Sequence, residues 1–512
     1  MFVPYRFCFL LCWLHLSPLY AASKQDDRVT YQTIDGFGVS QAFQRSAQMH
    51  GKFGLSPENQ KKVLDLLFSN TGSEGAGLTI LRNGIGSSTS SEKDFMKSIA
   101  PTSPGSPNAT LKYEWDGKDE SQVWLTQEAI AYGRLKTIYA DAWSAPAYMK
   151  TNNNDSNGGS ICGVSNAPCT TGDWRQAYAN YLIQYLRFYQ ETGINITHLG
   201  FLNEPDLNQT YASMLSSGFQ AADFLQILRP TLDASGFANV KIVCCEATGW
   251  DQQAAMLSEL QSIPGASDTL SVIAAHGYAS DPKLPYRAPQ RVWQTEWADL
   301  NGRWNPSWDD LGKFGEGIGW ANKIQQALTV SNCSAFLYWI GAETTSTNSA
   351  LIKLDKDTVT VSARLWAFAH FSRFVEPGAK RVRAESDKGF VGVSAFVNGD
   401  GGVVVQVLNL GHVGLGVRIE ILGIGRIILR WFLHTTQTLN ASKPPLQSVD
   451  SPKNTASPPA PPSSSPTPSA TFQSHDPATQ ARPLTGSSTN AAPPSSLSPS
   501  LCRTGRTSCP TQ

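Results

Sequence analysis

Short apolar runs alternate with longer amphipathic segments over much of the chain. Residues 56–70, 173–193 and 316–330 have helical periodicity, and the first of these begins with an N-cap serine followed by proline. Eight strand-like runs accompany such segments, at 34–40, 77–86, 136–144, 196–205, 240–247, 271–278, 291–297 and 335–341. Buried strands that alternate with helices are typical of a parallel sheet, and eight of them predict an α/β fold, the (β/α)8 TIM barrel. The alternative, an open doubly wound sheet, lacks a Gly-rich phosphate fingerprint after the early strands.

A smaller β domain is predicted beside the barrel. Residues 365–385 have the pattern of a helix that is stopped by Pro377, and alternating apolar and polar positions then predict strands at 389–397, 402–410, 416–422 and 426–433. We expect the barrel to span residues 34–364 and a side-associated β-sandwich to span 365–442, with residues 23–33 as its N-terminal strand. The sequence offers no convincing final sandwich strand after 426–433.

The two ends of the chain differ from the rest in composition. Residues 1–22 carry one positive charge, then an apolar run, then small residues, which predicts a secretory signal peptide. The run is shorter than the roughly 20 residues that a membrane span needs. Residues 443–512 are rich in Pro, Ser and Thr and predict a disordered tail, in which Cys502 and Cys509 are expected to pair. We expect a secreted, extracellular glycoprotein; its sequons begin at Asn108, Asn154, Asn195, Asn208, Asn332 and Asn440.

Charge and composition exclude some classes of partner. Lys plus Arg and Asp plus Glu number 41 each, so no basic excess favours nucleic acid. The hydrophobic fraction of 41% supports a large core, and we expect a monomer that does not bind membranes. The 14 Trp residues serve either as core filler or as platforms on which sugar rings stack.

The cysteines fit an oxidising compartment. Cys162 and Cys169 are expected to close a short loop, because glycine and proline between them suit a turn. Cys244 and Cys245 are adjacent in a strand and are expected to point to opposite faces, so at most one of them would meet Cys333. No histidine flanks these cysteines at the spacing of zinc ligands.

Two apolar strands end in a glutamate. Glu204 lies within residues 200–206, and Glu296 lies within residues 292–299, each at the end of an apolar run. A carboxylate at the end of a buried strand loses much of its hydration, so composition alone makes this placement unusual. Glycoside hydrolysis needs two carboxyl groups at one site, one to protonate the leaving oxygen and one to attack or to activate water. The pair therefore predicts a glycosidase.

Other polar and aromatic side chains also occur at strand ends, which converge on one mouth in a barrel. Arg82 and Tyr278 are expected to lie near Glu296 and to lower its pKa, which leaves Glu204 as the group that carries the proton. Asn203 is expected to donate to a sugar hydroxyl. The strand ends lack a His/Asp cluster, so neither a metal nor a cofactor is expected. The candidate substrate-binding residues on the strands are Arg82, Asn83, Trp143, Asn203, His276, Tyr278, Trp297 and Trp339.

The segments that carry these residues closely resemble fungal members of glycoside hydrolase family 30, subfamily 7. The segments are IDGFGVSQAFQR (34–45), LRNGIGSS (81–88), YADAWSAPAYMKTN (139–152), HLGFLNEPD (198–206), WQTEWADL (293–300) and LYWIGA (337–342). The resemblance, which covers about residues 30–410, implies an endo-β-1,4-xylanase or glucuronoxylanase. It also implies a retaining double displacement with Glu204 as acid/base and Glu296 as nucleophile. Arg45, in the first βα loop, would read the glucuronate substituent of the polysaccharide substrate.

Other readings stay open at this point. A family-30 enzyme for β-1,6-galactan or β-1,6-glucan is the alternative within the class, and the loop from 84 to 123 is expected to build the negative subsites. From another class, a non-catalytic carbohydrate-binding protein would keep the cleft but has no need of two glutamates. A metal-dependent hydrolase is disfavoured by the missing ligand cluster.

Overall fold

The computed structural model describes residues 17–21, 29–51, 54–71, 74–92, 95–411, 417–421 and 426–427. Most of the predicted signal peptide and the whole predicted tail, including Cys502 and Cys509, lie outside the described residues. Among the helices that are described, none combines the length and the apolar character that a bilayer crossing needs.

The helices begin and end close to their sequence signals. Ser56 accepts a hydrogen bond from the Asn59 amide, and proline occupies the next position, as predicted. Ser217 and Gln220 form a capping box at the start of a later helix. The α-helices in the described residues are α1 (Arg45–Met49), α2 (Pro57–Phe68), α3 (Gln122–Ala131), α4 (Arg175–Glu191), α5 (Gly218–Ala234), α6 (Trp250–Gln261), α7 (Gly317–Thr329) and α8 (Ala363–Ser372).

Twenty strands are assigned in the described residues. They are β1 (Ser17–Ala21), β2 (Thr30–Thr33), β3 (Gly36–Ser40), β4 (Ile80–Ile85), β5 (Thr137–Ala142), β6 (His198–Gly200), β7 (Lys241–Ala247), β8 (Val272–His276), β9 (Arg291–Glu296), β10 (Asp299–Arg303), β11 (Ala335–Thr344), β12 (Thr347–Asn348), β13 (Ala350–Asp355), β14 (Thr358–Val361), β15 (Lys380–Val382), β16 (Ala384–Ser386), β17 (Val391–Val397), β18 (Gly402–Asn409), β19 (Val417–Ile421) and β20 (Arg426–Ile427).

Eight parallel strands close into the predicted barrel. Their order around the sheet is β3, β4, β5, β6, β7, β8, β9 and β11, and β11 pairs with both β9 and β3. Each strand coincides with a predicted run, so the TIM barrel is confirmed. A layer of buried side chains fills the interior: Ile80, Tyr139, Val243, Val272, Ala274, Trp293, Ala335 and Leu337. Two larger apolar clusters separate the strands from the helices, so the barrel is a packed core whose chemistry lies at one end.

The strands predicted after the barrel form two further sheets. The larger has the order β2, β15, β17, β18, β20, and the smaller has the order β16, β1, β19. Thr30–Thr33 joins the larger sheet, within the predicted N-terminal strand. The Ser394 hydroxyl on β17 donates to Gln325 on α7 at 2.7 Å, which attaches this sheet to the barrel. In the predicted last strand, only residues 426–427 lie on a described strand, which is β20. In the predicted signal peptide, residues 17–21 form β1.

Two local predictions need correction. The helix predicted over 365–385 is α8, which ends at Ser372. Residues 380–382 instead form β15, because their hydrogen bonds to β17 and β2 stabilise a strand there in spite of the helical pattern. Cys244 and Cys245 form a disulfide with each other across a cis peptide bond, so the prediction that they face opposite ways is wrong. The predicted disulfide Cys162–Cys169 is present, and Cys333 is buried as a free thiol.

Candidate active site

Glu204 and Glu296 meet at the carboxyl end of the barrel. Glu296 is the last residue of β9, and Glu204 lies four residues beyond β6 in a left-handed conformation with φ of 47°. Their exposed fractions are 6% and 5%. A carboxylate oxygen of each and a ring nitrogen of His276 all lie within 4.8 Å of one another. Carboxyl groups about 5 Å apart are typical of retaining glycosidases, whereas inverting enzymes leave roughly 6.5–9.5 Å for a water molecule.

Glu296 is held by a cation and a phenol. The Arg82 Nη1 donates to Glu296 Oε2 at 2.5 Å, and the Tyr278 hydroxyl donates to Oε1 at 3.1 Å. The His276 Nε2 lies 3.8 Å from Oε2. Strand β4 brings Arg82 to this position because its side chain follows Ile80 into the barrel interior at the strand period of two.

Glu204 has a different set of partners. His276 Nδ1 lies 3.1 Å from Oε1, and the Tyr211 hydroxyl donates to Oε2 at 3.3 Å. The Glu204 amide donates to the carbonyl oxygen of Glu246 at 2.8 Å, which fixes the backbone of the loop. A left-handed backbone is uncommon for glutamate and recurs at functional sites, where the surroundings over-determine it.

Arg82 connects both halves of the site. Its Nη2 donates to Asp141 at 2.7 Å and to the Asn203 side-chain oxygen at 2.6 Å, and lies 3.6 Å from Glu246. Asn203 therefore presents an amide group whose oxygen is already engaged, so a hydrogen bond from Asn203 to a sugar would come from its nitrogen.

The electrostatics of the cluster depend on burial as much as on ion pairs. Burial raises the pKa of Glu296, while His276 and Arg82 act against that rise; the net pKa stays above the ordinary value. Arg82 acts to lower this pKa, as predicted, but burial outweighs the cation and the net pKa is raised. Burial also raises the pKa of Asp141 to about 8, so Asp141 keeps its proton at neutral pH although Arg82 opposes this.

His276 is a cation in this setting. Burial disfavours the imidazolium, but Glu296, Glu204 and Glu246 outweigh it and raise the pKa of His276 to about 10. With Asp141 protonated, Arg82 and His276 face three carboxyl groups. The cluster is neutral when one of the three carries a proton, which is the state that an acid and a nucleophile require.

The grouping of Glu204, His276 and Glu296 also invites comparison with a metal site. A protonated imidazole offers no lone pair to a metal, and Arg82 already donates to Glu296 Oε2. The donor set therefore fits proton transfer better than cation binding.

An aromatic wall borders the two glutamates. Phe43 packs edge-to-face on Trp143 at 5.1 Å, and Trp339 lies 6.0 Å from Trp143. Trp143 is only 2% exposed and covers the Arg82 guanidinium at 4.4 Å, whereas Trp339 and Tyr211 are half-buried. Among the predicted tryptophans, Trp339 is therefore the one with ring surface available to a sugar.

Two predicted substrate-binding residues lie elsewhere. Asn83 is buried and donates to Thr126 on α3, because neighbouring residues of a strand point to opposite faces and Arg82 takes the interior one. Trp297 is 3% exposed and packs on Trp320 behind the barrel wall, with Lys323 Nζ 3.7 Å above its ring. These placements contradict the prediction that Asn83 and Trp297 contact substrate.

Arg45 begins α1 beside the aromatic wall. Its Nε donates to Glu343 at 3.0 Å and its Nη1 donates to the carbonyl oxygen of Phe43 at 2.8 Å. Its side chain is 15% exposed. The residue is thus partly exposed, and it shares its charge with a buried carboxylate.

The structure adds residues that sequence reasoning missed. Glu246 and Asp141 complete the buried ion network, Tyr139 donates to Glu246 at 2.6 Å, and Tyr211 supports Glu204. Residues 240–247 are an apolar strand with a glutamate near its end, the same signal that identified Glu204 and Glu296.

Comparisons with known proteins identify relatives among the glycoside hydrolases. The model of O-Glycosyl hydrolase family 30 matches residues 23–272. The catalytic domain of GH30 xylanase C from Talaromyces cellulolyticus is 45% identical with a TM-score of 0.72, covering 77% of this chain and 87% of that one. Glucuronoxylanase XynC from Bacillus subtilis strain 168 is 23% identical over 62% of this chain and 70% of its own. Endo-1,6-beta-D-glucanase BGN16.3 from Trichoderma harzianum is 23% identical over 74% and 78%, respectively.

Proposed function

This chain belongs to glycoside hydrolase family 30, and from that premise we propose that it is a secreted retaining enzyme that cleaves β-1,4-xylosidic bonds in xylan. The observation that carries the chemistry is the approach of Glu204 and Glu296 to within 4.8 Å. The observation that favours xylan over other β-linked polymers is the 45% identity to a xylanase catalytic domain.

The proposed reaction has two steps. In the first, Glu204 gives its proton to the glycosidic oxygen while a Glu296 oxygen attacks the anomeric carbon, so that the bond to the leaving sugar breaks and a glycosyl ester forms. In the second, Glu204 takes a proton from water, the hydroxide oxygen bonds to the anomeric carbon, and the Glu296 carboxylate leaves. Two inversions give retention.

The buried cations assist the charge changes of this scheme. Glu296 needs a negative charge in order to attack, and Arg82 together with the Tyr278 hydroxyl stabilises that charge in a site where burial raises its pKa. His276 donates toward Glu204 and so stabilises the carboxylate that remains once the proton has gone to the leaving oxygen.

The substrate is tested with a panel of polysaccharides. Glucuronoxylan, arabinoxylan, β-1,6-galactan and β-1,6-glucan are incubated with the enzyme and with Glu296→Ala, and products are sized. We expect only the wild type to release xylo-oligosaccharides, and NMR should show that the β anomer is formed first. Hydrolysis of β-1,6-glucan alone would mean that the enzyme is a β-1,6-glucanase, like the Trichoderma relative by its name. Binding without turnover would identify a carbohydrate-binding protein.

Arg45 is proposed to bind the glucuronate substituent through charge-assisted hydrogen bonds. The variant Arg45→Gln is expected to lower kcat/KM about 10-fold with glucuronoxylan and little with arabinoxylan, since one charged hydrogen bond contributes roughly 1.5–3 kcal/mol. The control is Arg383→Gln, an arginine between β15 and β16 that pairs with Glu385 on β16. Equal losses with both polymers would mean that Arg45 acts only by fixing Phe43 and Glu343.

A further inference from the structure

Glu246 is a buried carboxylate that the two-step scheme does not use. It lies near the end of β7, fully buried, where the pairing with β8 shifts register between Cys245 and Ala247. Its φ is 62°, the left-handed region that side chains other than glycine rarely adopt. Bulges and left-handed residues recur beside active sites because they re-aim a side chain. Here the result is a carboxylate directed at His276.

The carboxylate of Glu246 is surrounded by donors. His276 Nε2 lies 2.8 Å from Oε2, which also accepts from the Thr295 hydroxyl, and the Tyr139 hydroxyl donates to Oε1 at 2.6 Å. Arg82 Nη2 lies 3.6 Å away. Burial favours the neutral acid, but Arg82 and His276 outweigh it and hold the pKa of Glu246 below its ordinary value. Glu246 is therefore a fixed anion behind the imidazole.

Glu246 reaches Glu204 by two routes. Through the side chain, it binds one nitrogen of His276 while the other nitrogen lies 3.1 Å from Glu204 Oε1. Through the backbone, its carbonyl oxygen accepts the Glu204 amide at 2.8 Å. Both residues have left-handed backbones, and each contact orients the carboxyl group that exchanges the proton.

We propose that Glu246 is a positioning residue for the acid/base step, which holds His276 as an imidazolium oriented to donate through Nδ1 to Glu204. This inference rests on the proposed function. A neutral imidazole carries a proton on only one of its two nitrogens. Its tautomer would then decide whether Glu204 receives a hydrogen bond. A nearby anion fixes both nitrogens as donors, so the carboxylate formed at Glu204 is stabilised in every turnover.

The groups that face His276 come from several elements. Glu204 approaches from the loop after β6, Glu246 from β7, and Glu296 from β9 at 3.8 Å. The Tyr278 ring lies edge-on at 5.9 Å. Arg82 from β4 approaches Oε2 of both Glu246 and Glu296, the same oxygen atoms that face His276. Removing the charge of Glu246 leaves the other anions in place, so the imidazole should still be able to take up a proton, but at lower pH.

The test is Glu246→Gln, which keeps size and the backbone carbonyl while removing the charge. We expect the pKa of His276 to fall by about 2, the loss of one close opposite charge. We expect kcat with xylan to fall on the order of 10²-fold, with KM unchanged, since a proton-transfer step contributes roughly that much. The ratio of variant to wild-type kcat should decrease as the pH rises. The matched control is Glu316→Gln, a buried glutamate that binds backbone amides of Asp310 and Gly312.

Nitrogen NMR follows the His276 imidazole, and its signals are assigned by their absence from the spectrum of His276→Gln. Both nitrogens should be protonated at pH 8 in the wild type, which tests the proposal even where Glu246→Gln does not fold. A neutral imidazole at pH 8, or a Glu246→Gln variant whose kcat ratio is the same at every pH, would overturn it. Failure of the wild type to hydrolyse any polysaccharide would overturn the proposed function instead, and the titration would still decide whether Glu246 controls His276.

Discussion

Glu296 and Glu204 are the same residue type, nearly equally buried and within 4.8 Å of each other, yet their surroundings differ. Glu296 ends a regular strand and accepts from a guanidinium, whose charge is permanent. Glu204 lies in a left-handed loop and faces His276, an imidazolium whose charge depends on the carboxylates around it.

The contrast shows that partners, rather than burial, divide the work between the two carboxyl groups. Burial cannot separate the two groups, because their exposed fractions are nearly equal. A permanent cation suits the group that must be negative in order to attack. A chain of hydrogen-bonded groups suits the one that must hold a proton in one step and release it in the next.

The largest effect is expected at Glu296, the proposed nucleophile. Replacing Glu296 by Ala removes the group proposed to form the glycosyl ester, and kcat should fall on the order of 10⁶-fold, as for removal of the nucleophile of a serine protease. The loss should be the same with xylan and with an activated aryl β-xylobioside, because both need the attacking carboxylate. Initial rates with the two substrates measure this.

Added azide distinguishes the roles of the two glutamates. In Glu296→Ala, azide enters on the nucleophile's side and gives the α-glycosyl azide from an aryl β-glycoside. In Glu204→Ala, azide attacks the glycosyl ester from the opposite side and gives the β-glycosyl azide. If Glu296→Ala gave the β-glycosyl azide and Glu204→Ala gave the α-glycosyl azide, the roles proposed for the two glutamates would be reversed.

The next largest effect is expected at Glu204, the proposed acid/base. Glu204→Ala should lower kcat/KM with xylan by about 10²–10⁴-fold, the contribution of general acid catalysis. With a dinitrophenyl leaving group the loss in kcat/KM should be far smaller, because that group departs without a proton. A loss that is independent of the leaving group would show that Glu204 does not protonate it.

Much of this contrast could be predicted from the sequence because local patterns encode it. The eight apolar runs fix the order of the barrel strands, and Glu204 and Glu296 lie near the ends of two of those runs. Parallel strands place their carboxyl ends at one mouth, so the two glutamates had to be neighbours once the barrel closed.

The remaining features depend on details that a linear pattern does not contain. Asn83 and Trp297 each adjoin a residue that reaches the buried cluster, and the alternation of side chains along a strand admits only one of each pair to the interior. Glu246 reaches the site through a bulge, which is set by pairing with β8 rather than by its own neighbours. The net pKa of Glu296 depends on the depth of burial, which no composition reports.

The smallest effects are expected at the two phenols, which form a matched pair. The Tyr278 hydroxyl donates to Glu296 at 3.1 Å and the Tyr211 hydroxyl donates to Glu204 at 3.3 Å. Tyr278→Phe should lower kcat about 10-fold with xylan and with the activated substrate, since a hydrogen bond to a charged group contributes roughly 1.5–3 kcal/mol. Tyr211→Phe should lower kcat by a smaller factor, because its bond is longer and its acceptor carries a proton in the first step.

The substrate dependence of the pair decides what the phenols do. If Tyr278 stabilises the attacking carboxylate, the Tyr278→Phe loss does not depend on the leaving group, whereas the Tyr211→Phe loss shrinks when no proton is needed. Equal losses in the two variants with both substrates would mean that the hydroxyls only fill the mouth, and the division of roles would then depend on Arg82 and His276 alone. Because both tyrosines are half-buried at the rim, thermal unfolding of the two variants provides the common control for altered packing.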